Sequence, residues 1–314
     1  MTDVDAGAPA PAGAERWPKL VYAEWKDTLA TLHLWTQIAG KIRLKLESFV
    51  NHWWHVTLYV TQRGLTTSMM PYRNGRTFSI DFDFVGHRLH IADCDGAKAE
   101  FALEPMTVAD FYRRLMEALA GLDIFVKIDG KPNEIADAVP FAQDTVHGSY
   151  DRAYVERFWR ALLQADRLCK VFRSGFVGKA SPVHFFWGSF DLAATRFSGR
   201  TAPQHPGGFP NMPDWATREA YSHEEQSVGF WPGGFGLEAS FYSYAYPTPP
   251  SLGDARILPA QAAWNAQLNE FLLPYDAARN APDPDRAVLD FFESTYAAAA
   301  DLLKWDRAAL ERRT

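Results

Sequence analysis

The chain has 314 residues, of which 47% are hydrophobic and 22% charged, as in an ordinary globular protein. Lys and Arg total 32 and Asp and Glu total 38, so the net charge is −6 and the basic footprint of a nucleic-acid-binding protein is missing. No apolar run approaches the roughly 20 residues that span a bilayer. We therefore expect neither a nucleic acid nor a membrane as partner.

The N-terminal residues 1–16 are rich in Ala, Pro and Gly, and they lack the basic and apolar regions of a secretory signal. We expect them to form a disordered tail. Cys94 and Cys169 are the only cysteines, too few for a disulfide framework or a zinc finger. This cysteine usage predicts a reducing, cytoplasmic compartment.

The first half of the chain, residues 17–150, predicts a long helix, several strands and a second helix. Residues 77–84 alternate apolar and polar side chains, the pattern of a half-buried strand. Thr107, with Asp110 three residues later, predicts a helix start. The predicted elements are a helix over 19–47, strands over 53–62, 77–84 and 88–92, a helix beginning at 107, and a strand over 124–128.

The second half, residues 151–314, predicts the same order of a helix followed by strands, with further helices at its end. Pro259 is placed as at the first position of a helix. The predicted elements are a helix over 153–170, a strand over 184–195, a Gly/Pro-rich loop over 199–213, strands over 219–230 and 236–246, and helices over 259–271 and 285–312.

This order of elements predicts an α+β fold with mainly antiparallel sheets and packed helices. The two halves share a pattern at a constant offset, because Trp25 and Leu29 correspond to Trp159 and Leu163. An internal duplication would explain this, and chance similarity between two helix–strand stretches is the alternative. The halves would then form one compact unit with a ligand cleft between them.

Aromatic residues are 14% of the chain, and most of them should form the core. Some stand beside polar residues, as in residues 52–55 (His-Trp-Trp-His), which is how a ring-lined cleft would look. Strand alternation places His55, Tyr59 and Arg63 on one face and Trp187 with Asp191 on another polar face. A solvated sheet face is the alternative interpretation.

His223 and Glu224 precede a Gly- and aromatic-rich stretch that contains Trp231. They are candidates for a metal ligand or a general acid–base pair with Asp191 or His184. Alternation would put His184 on the face opposite Asp191, so that pairing needs a bend. Hydrogen-bonded support of a loop is the alternative role for His223.

Arg196 ends a predicted strand, and Arg is suited to bidentate capture of a carboxylate or phosphate. With Arg63 it would form an anion clamp, whereas ion pairs with Asp191 or Glu224 are the alternative. The HExxH, Walker and GxSxG motifs are absent.

Three long segments carry a family resemblance: 51–67 (NHWWHVTLYVTQRGLTT), 181–200 (SPVHFFWGSFDLAATRFSGR) and 219–234 (EAYSHEEQSVGFWPGG). They resemble the bacterial family called domain of unknown function 5996. The resemblance runs from Trp17 to about Leu310. It implies a stand-alone bacterial protein, and no activity or catalytic residue comes with it.

The residues favour an enzyme that acts on a small polar or anionic molecule in an aromatic-lined cleft. The alternatives are a non-catalytic small-molecule binder and a structural or partner protein with an aromatic core. A divalent metal held by His223, Glu224 and Asp191 is the one cofactor that the sequence suggests. Substrate, reaction type and oligomeric state do not follow from the residues. The candidate catalytic residues are His184, Asp191, His223 and Glu224, and the candidate substrate-binding residues are His55, Tyr59, Arg63, Trp187, Arg196 and Trp231.

Overall fold

A computed structural model describes residues 15–312 of the chain. The predicted disordered tail over residues 1–16 falls almost entirely outside this range. None of the helices within 15–312 combines the length and apolar character of a bilayer span.

Seven α-helices lie in the described part of the chain. Two of them, α1 and α3, are long, and α1 is buried on all sides from Leu34 to Arg43, so it forms the centre of the molecule. The helices are α1 (Tyr22–Leu46), α2 (Val108–Ala120), α3 (Arg152–Ser174), α4 (Asp214–Ala220), α5 (Tyr275–Arg279), α6 (Pro284–Leu302) and α7 (Arg307–Leu310).

Six strands of the first half form an antiparallel sheet in the order β1-β2-β4-β5-β6, with β3 paired to β4. The apolar side chains of β4 face the core, as its alternation predicts, and α2 packs its buried face on the same side. The strands are β1 (Tyr59–Thr61), β2 (Gly64–Thr66), β3 (Met70–Pro71), β4 (Thr77–Asp83), β5 (Arg88–Asp93) and β6 (Lys98–Ala102).

Six strands of the second half form another antiparallel sheet, in the order β11-β12-β10-β9-β8-β7. The helices α3, α5 and α6 contact this sheet. The strands are β7 (His184–Phe186), β8 (Asp191–Thr201), β9 (His223–Gly234), β10 (Leu237–Tyr246), β11 (Ala263–Asn265) and β12 (Glu270–Pro274).

The two sheets meet at their edges. Leu58, just before β1, exchanges two backbone hydrogen bonds of 2.9 Å with Phe185 of β7. Both side chains are fully buried. The α+β fold with antiparallel sheets and packed helices is therefore confirmed. Each half contains one long helix and one six-stranded antiparallel sheet, with α2 added in the first half and α4 to α7 in the second, and the duplication stays a prediction.

The predicted strand over 53–62 is wrong in its first half, because Asn51–Trp53 form a single helical turn and pairing begins only near Leu58. His52 and Trp53 have left-handed backbones, with φ of 57° and 59°. Their side chains bond to carbonyls of α4, His52 to Ala220 and Trp53 to Ala216. These tertiary contacts outweigh the strand preference of the aromatic residues.

The predicted helix over 259–271 is also wrong, because this stretch forms the hairpin of β11 and β12. The side chain of Asn265 accepts hydrogen bonds from the N–H groups of Gln267 and Leu268, and Asn269 takes a left-handed backbone. Asn favours such turns. The edge-to-face packing of Trp264 on Phe271 stabilises the hairpin.

Two further predicted elements differ from the structure. The last helix stops at Leu302, because Lys304 turns left-handed and the N–H of Trp305 bonds back to Ala300. The predicted strand over 124–128 is wrong, because these residues belong to neither sheet, although Ile124 and Ile128 are buried.

Candidate functional site

One face of the second sheet carries polar side chains that are mostly buried. Strand register defines this polar face, since directly paired residues point to the same side. Its members are His184 and Phe186 of β7; Asp191, Ala193, Thr195 and Phe197 of β8; Glu225, Ser227, Gly229 and Trp231 of β9; Tyr242, Tyr244 and Tyr246 of β10; and Glu270 of β12. The opposite face packs against the helices through side chains such as Phe241, which contacts Phe292 of α6.

The register corrects the expected relation of His184 to Asp191. His184 pairs with Ala193 and Phe186 with Asp191, so both His184 and Asp191 lie on the polar face. Alternation does not continue through residues 187–190, because they form a turn in which Phe190 has a φ of 59°. The turn also separates Trp187 from the strand that carries Asp191.

A loop brings Glu134 to the polar face. The backbone N–H of Asn133 donates to the side chain of Gln37 on α1, and the side chain of Asn211 donates to the carbonyl of Ile135. Glu134 itself has a φ of 60°, which costs energy for a residue with a side chain. Its carboxyl lies so close to Gly188 that a Cβ at position 188 would overlap with Oε1. Contacts from α1 and from the 199–213 loop thus hold Glu134 in a strained conformation.

Glu134, which is half-buried, and Asp191, which is buried, form a pair of acids that influence each other electrostatically. Asp191 is 8% exposed and accepts hydrogen bonds from Ser189 Oγ at 2.6 Å and from Tyr242 Oη. Burial raises the pKa of Asp191, although the two hydroxyl donors act in the opposite direction. Burial of the Glu134 carboxyl, together with the charge of Asp191, raises the pKa of Glu134 to about 7.

Two more acids extend the cluster along the sheet. Burial and the charge of Asp191 raise the pKa of Glu270 to about 7. Burial raises the pKa of Glu225 to about 8, and this carboxyl accepts a 3.5 Å hydrogen bond from Tyr244 Oη. Within residues 15–312, no Lys or Arg forms an ion pair with any of these four acids. Lys179 acts on Glu225 and only partly offsets the effect of burial, so the carboxyls of the polar face bind protons more readily than ordinary acids.

His184 is 1% exposed and stays neutral in the folded protein. Burial lowers its pKa to about 3, and the charges of Arg43 and Arg173 lower it further. Its Nδ1 has no hydrogen-bond partner among the described residues. The rings of Trp54 and Tyr59 lie 5.8 and 5.7 Å from its own ring. His184 and Asp191 therefore share a face without a hydrogen bond between them.

Arg196 lies on the helix-covered face and not beside Asp191. It is 1% exposed, with its guanidinium carbon 3.4 Å from the ring centre of Phe172 and 4.3 Å from that of Tyr296. Its charge pairs with Glu293 at 3.2 Å. Arg63 is equally occupied, since it pairs with Asp83 of the first sheet at 2.6 Å. The two arginines of the expected anion clamp therefore bind elsewhere.

His223 and Glu224 point to opposite sides of β9. Glu224 pairs with Arg200 at 2.6 Å and accepts a hydrogen bond from Ser198. His223 bonds to Ser222, and its ring lies 5.6 Å from that of His52. The expected acid–base pair is therefore not assembled.

The remaining candidates have contacts of their own. His55 Nδ1 bonds to the backbone of Val50, and its carbonyl accepts from Arg43 Nε at 2.7 Å. Tyr59 lies beneath the Arg43 guanidinium at 5.2 Å, close to His184.

The two candidate tryptophans lie in different places: Trp187 in the turn before β8, and Trp231 on the polar face, one position along from the Leu192–Phe230 pair. Trp187 Nε1 donates to Val56 O at 2.7 Å, and its ring fills the space above Gly40. Trp231 stacks on Phe235 at the hairpin end of β9.

The three suggested metal ligands are divided between these environments. Asp191 faces its two hydroxyl donors, Glu224 faces Arg200, and His223 faces His52. Among residues 15–312, no group of three or more His, Cys, Asp or Glu side chains is arranged to hold a metal ion.

Comparison with known proteins places the chain by sequence. The profile of the family described as "Family of unknown function (DUF5996)" matches residues 17–312. The chain belongs to this family. No curated protein and no solved structure matches it.

The sequence pattern does not identify several residues on the polar face of this DUF5996 protein. Tyr242, Tyr244 and Glu225 occupy alternate strand positions, a signal that would have placed them on one face had the register of β9 and β10 been known. Glu134 stands in a loop with no motif around it. Only the fold reveals that its carboxyl contacts Gly188 and is influenced by the charge of Asp191.

Proposed function

We propose that the protein is an enzyme that acts on a small polar molecule bearing a basic nitrogen, and that Glu134 and Asp191 exchange protons with this molecule on the polar face. The observation that carries the proposal is the acid pair itself. Two carboxyls whose charges influence each other lie on this face without an ion pair to Lys or Arg among residues 15–312, and one of them is held by a strained backbone. Perturbed acids of this kind cluster at functional sites.

The two acids have different chemical roles in this proposal. Burial raises the pKa of Asp191, and the hydrogen bonds that Ser189 and Tyr242 donate to it partly offset this rise. Glu134 receives no such donor within the described residues and titrates near pH 7. Glu134 is therefore suited to give and take a proton at neutral pH, while Asp191 orients the substrate by accepting its N–H.

A basic nitrogen fits this face better than an anion. An incoming cation would offset the repulsion among Glu134, Asp191 and Glu270, and the nearby tyrosine rings also favour cations. The anionic substrate expected from the sequence required Arg63 and Arg196 on the same face. Those two side chains are paired with Asp83 and Glu293 instead.

The alternative of a non-catalytic binder uses the same face but needs no proton transfer. The near-neutral pKa of Glu134 favours the enzyme, because a purely electrostatic site works best with acids that are fully ionised.

Ligand-observed NMR with matched probes tests the proposal. Benzylamine, benzyl alcohol and benzoate share a ring and differ in charge, and spermidine extends the series. We expect the amines to bind, and Glu134→Gln and Asp191→Asn each to weaken that binding at least about tenfold, roughly the worth of one charged hydrogen bond. Glu224→Gln, which removes an acid on the other side of β9, should change nothing. A preference for benzoate, or amine binding that survives both substitutions, would contradict the proposal.

A further inference from the structure

A lysine and a histidine share a hydrogen bond at the other end of the polar face. Lys179 Nζ lies 2.6 Å from His52 Nε2, and His52 Nδ1 lies 2.8 Å from the carbonyl oxygen of Ala220. A carbonyl only accepts hydrogen bonds, so Nδ1 carries the ring proton and Nε2 is the acceptor. Lys179 therefore donates to a neutral His52, and the two bases share one proton.

Aromatic rings surround the Lys179 amine. Its Nζ lies 4.7 Å from the ring centre of Phe197 and 5.5 Å from that of Trp54. The acids whose charges act on it are Glu225 and Glu219, and within residues 15–312 neither forms an ion pair with it. Burial lowers the pKa of Lys179, and the two acids only partly offset that effect. A lysine in such surroundings keeps more of its amine in the nucleophilic, uncharged form.

The backbone that holds His52 is strained. His52 and Trp53 both have left-handed φ values, and α4 holds them through the carbonyls of Ala220 and Ala216. Left-handed backbones at bulky residues persist only where the surroundings enforce them, and they concentrate at functional sites. The strain places the ring of His52 against Lys179 and 4.7 Å from Phe197.

We infer that Lys179 is an amine nucleophile that forms an imine with a small aldehyde or ketone, and that His52 carries the protons of this step. Lys179 first passes its extra proton to His52 Nε2. The free amine attacks the carbonyl carbon, so a C–N bond forms and the carbonyl π electrons move to oxygen. His52 returns its proton to that oxygen and takes one from the nitrogen, which leaves a neutral carbinolamine.

The second stage uses the same histidine. His52 donates its proton to the hydroxyl, the C–O bond breaks, and water leaves while the nitrogen lone pair completes the C=N bond. Overall, the protonated lysine and the carbonyl compound give a protonated imine and one water molecule, with His52 restored to its neutral form. No oxidant, reductant or further reactant is required.

This inference is independent of the acid pair. Phe197, which faces Lys179, is six residues from Asp191 along β8, or about 20 Å at the usual strand rise. The residues involved are different, so either proposal can fail without the other.

Reductive trapping on the full chain tests the inference. The protein is incubated with propionaldehyde and cyanoborohydride at pH 7, and the initial labelling rate of each lysine is measured by peptide mass spectrometry. The exposed Lys98 and Lys127 serve as references in the same sample. We expect Lys179 to be labelled several times faster than either reference, because its lowered pKa leaves more free amine and His52 carries protons for the step. Equal or slower labelling of Lys179 would overturn the inference.

Two histidine variants test whether His52 carries protons for Lys179. His52→Gln should reduce the labelling rate of Lys179 to that of Lys98, whereas His223→Gln, which alters a ring beside His52 without touching Lys179, should leave it unchanged. Circular dichroism establishes that each variant is folded. Should His52→Gln fail to fold, His52→Asn takes its place. A folded His52→Asn protein in which Lys179 is still labelled at the wild-type rate would overturn the inference.

Discussion

The carboxyl of Glu134 packs against the backbone of Gly188, and this contact connects three parts of the chain. The carbonyl of Gly188 accepts a 2.8 Å hydrogen bond from His33 of α1, while Asn133, the neighbour of Glu134, is bound by Gln37 of the same helix. The central helix, the β7–β8 turn and the loop of Glu134 therefore set the position of the acid pair jointly.

Gly188→Ala should displace Glu134, because the added Cβ would overlap with its Oε1. Because the overlapping atom is the end of a flexible side chain that can move aside, we expect a loss of no more than about 1 kcal/mol in the free energy of unfolding. Urea denaturation measures it. Gly130→Ala is the control, since a Cβ there meets nothing within 4 Å. Equal effects of the two changes would contradict the close contact.

Glu134→Gln should change how stability depends on pH. The folded pKa of Glu134 is about 7, above its ordinary value near 4.5, so the folded state binds more protons between these limits. Stability from this group is present below pH 4.5 and is lost as the pH rises through 7. The variant should therefore gain, relative to wild type, on the order of 2 kcal/mol on going from pH 5 to pH 8. Denaturation curves at both values test this, and an unchanged difference would speak against the raised pKa.

His184→Phe should make the protein less sensitive to acid. His184 has a folded pKa of about 3, so the unfolded chain takes up its proton first, and stability is lost as the pH falls below 6.5. Phe keeps the ring and removes the unpartnered Nδ1, so at pH 7 we expect little change or a small gain. Unfolding measured from pH 7 to pH 5 should show a shallower decline than in wild type.

His33→Phe is the comparison for His184→Phe. Burial lowers the pKa of His33 to about 4. This ring bonds to the carbonyl of Gly188, so its loss at pH 7 should cost about 1–3 kcal/mol. Similar costs for both histidines at pH 7 would contradict the difference in their hydrogen bonding.

Arg196→Ala should destabilise the fold without affecting the polar face. The change removes a buried guanidinium held between two rings and leaves Glu293 without its partner, which we expect to cost about 3 kcal/mol. Arg200→Ala breaks a more exposed pair with Glu224 and should cost less than about 1 kcal/mol. Thermal unfolding compares the two. Loss of amine binding in a folded Arg196→Ala protein would contradict its placement on the helix-covered face.

The periodic parts of the fold could be predicted from the sequence. Thr107 does cap α2, with its side chain accepting from the N–H of Asp110, and β4 shows the expected alternation. Prediction failed where distant contacts decide the backbone. Residues 51–56 follow α4 rather than their strand preference, and residues 259–271 follow the turn chemistry of Asn265.

The candidate site was predictable only in part, for a related reason. Asp191 and His184 were found because they stand on a strongly patterned segment. Alternation predicts that they point to opposite faces of the sheet. This is wrong, because the alternation is interrupted by the four-residue turn before Asp191. Glu134 and Lys179 reach the polar face through tertiary contacts, with Gly188 and with His52, that no local pattern encodes.

Carboxyl ¹³C NMR titration of Glu134 and Asp191 tests the central claim most directly, with the signals assigned through Glu134→Gln and Asp191→Asn. We predict that Glu134 titrates near pH 7 and that Asp191→Asn moves this midpoint downward, because the neighbouring charge is removed. A Glu134 midpoint near its ordinary value of 4.5, unchanged by Asp191→Asn, would contradict the acid pair and the function built on it.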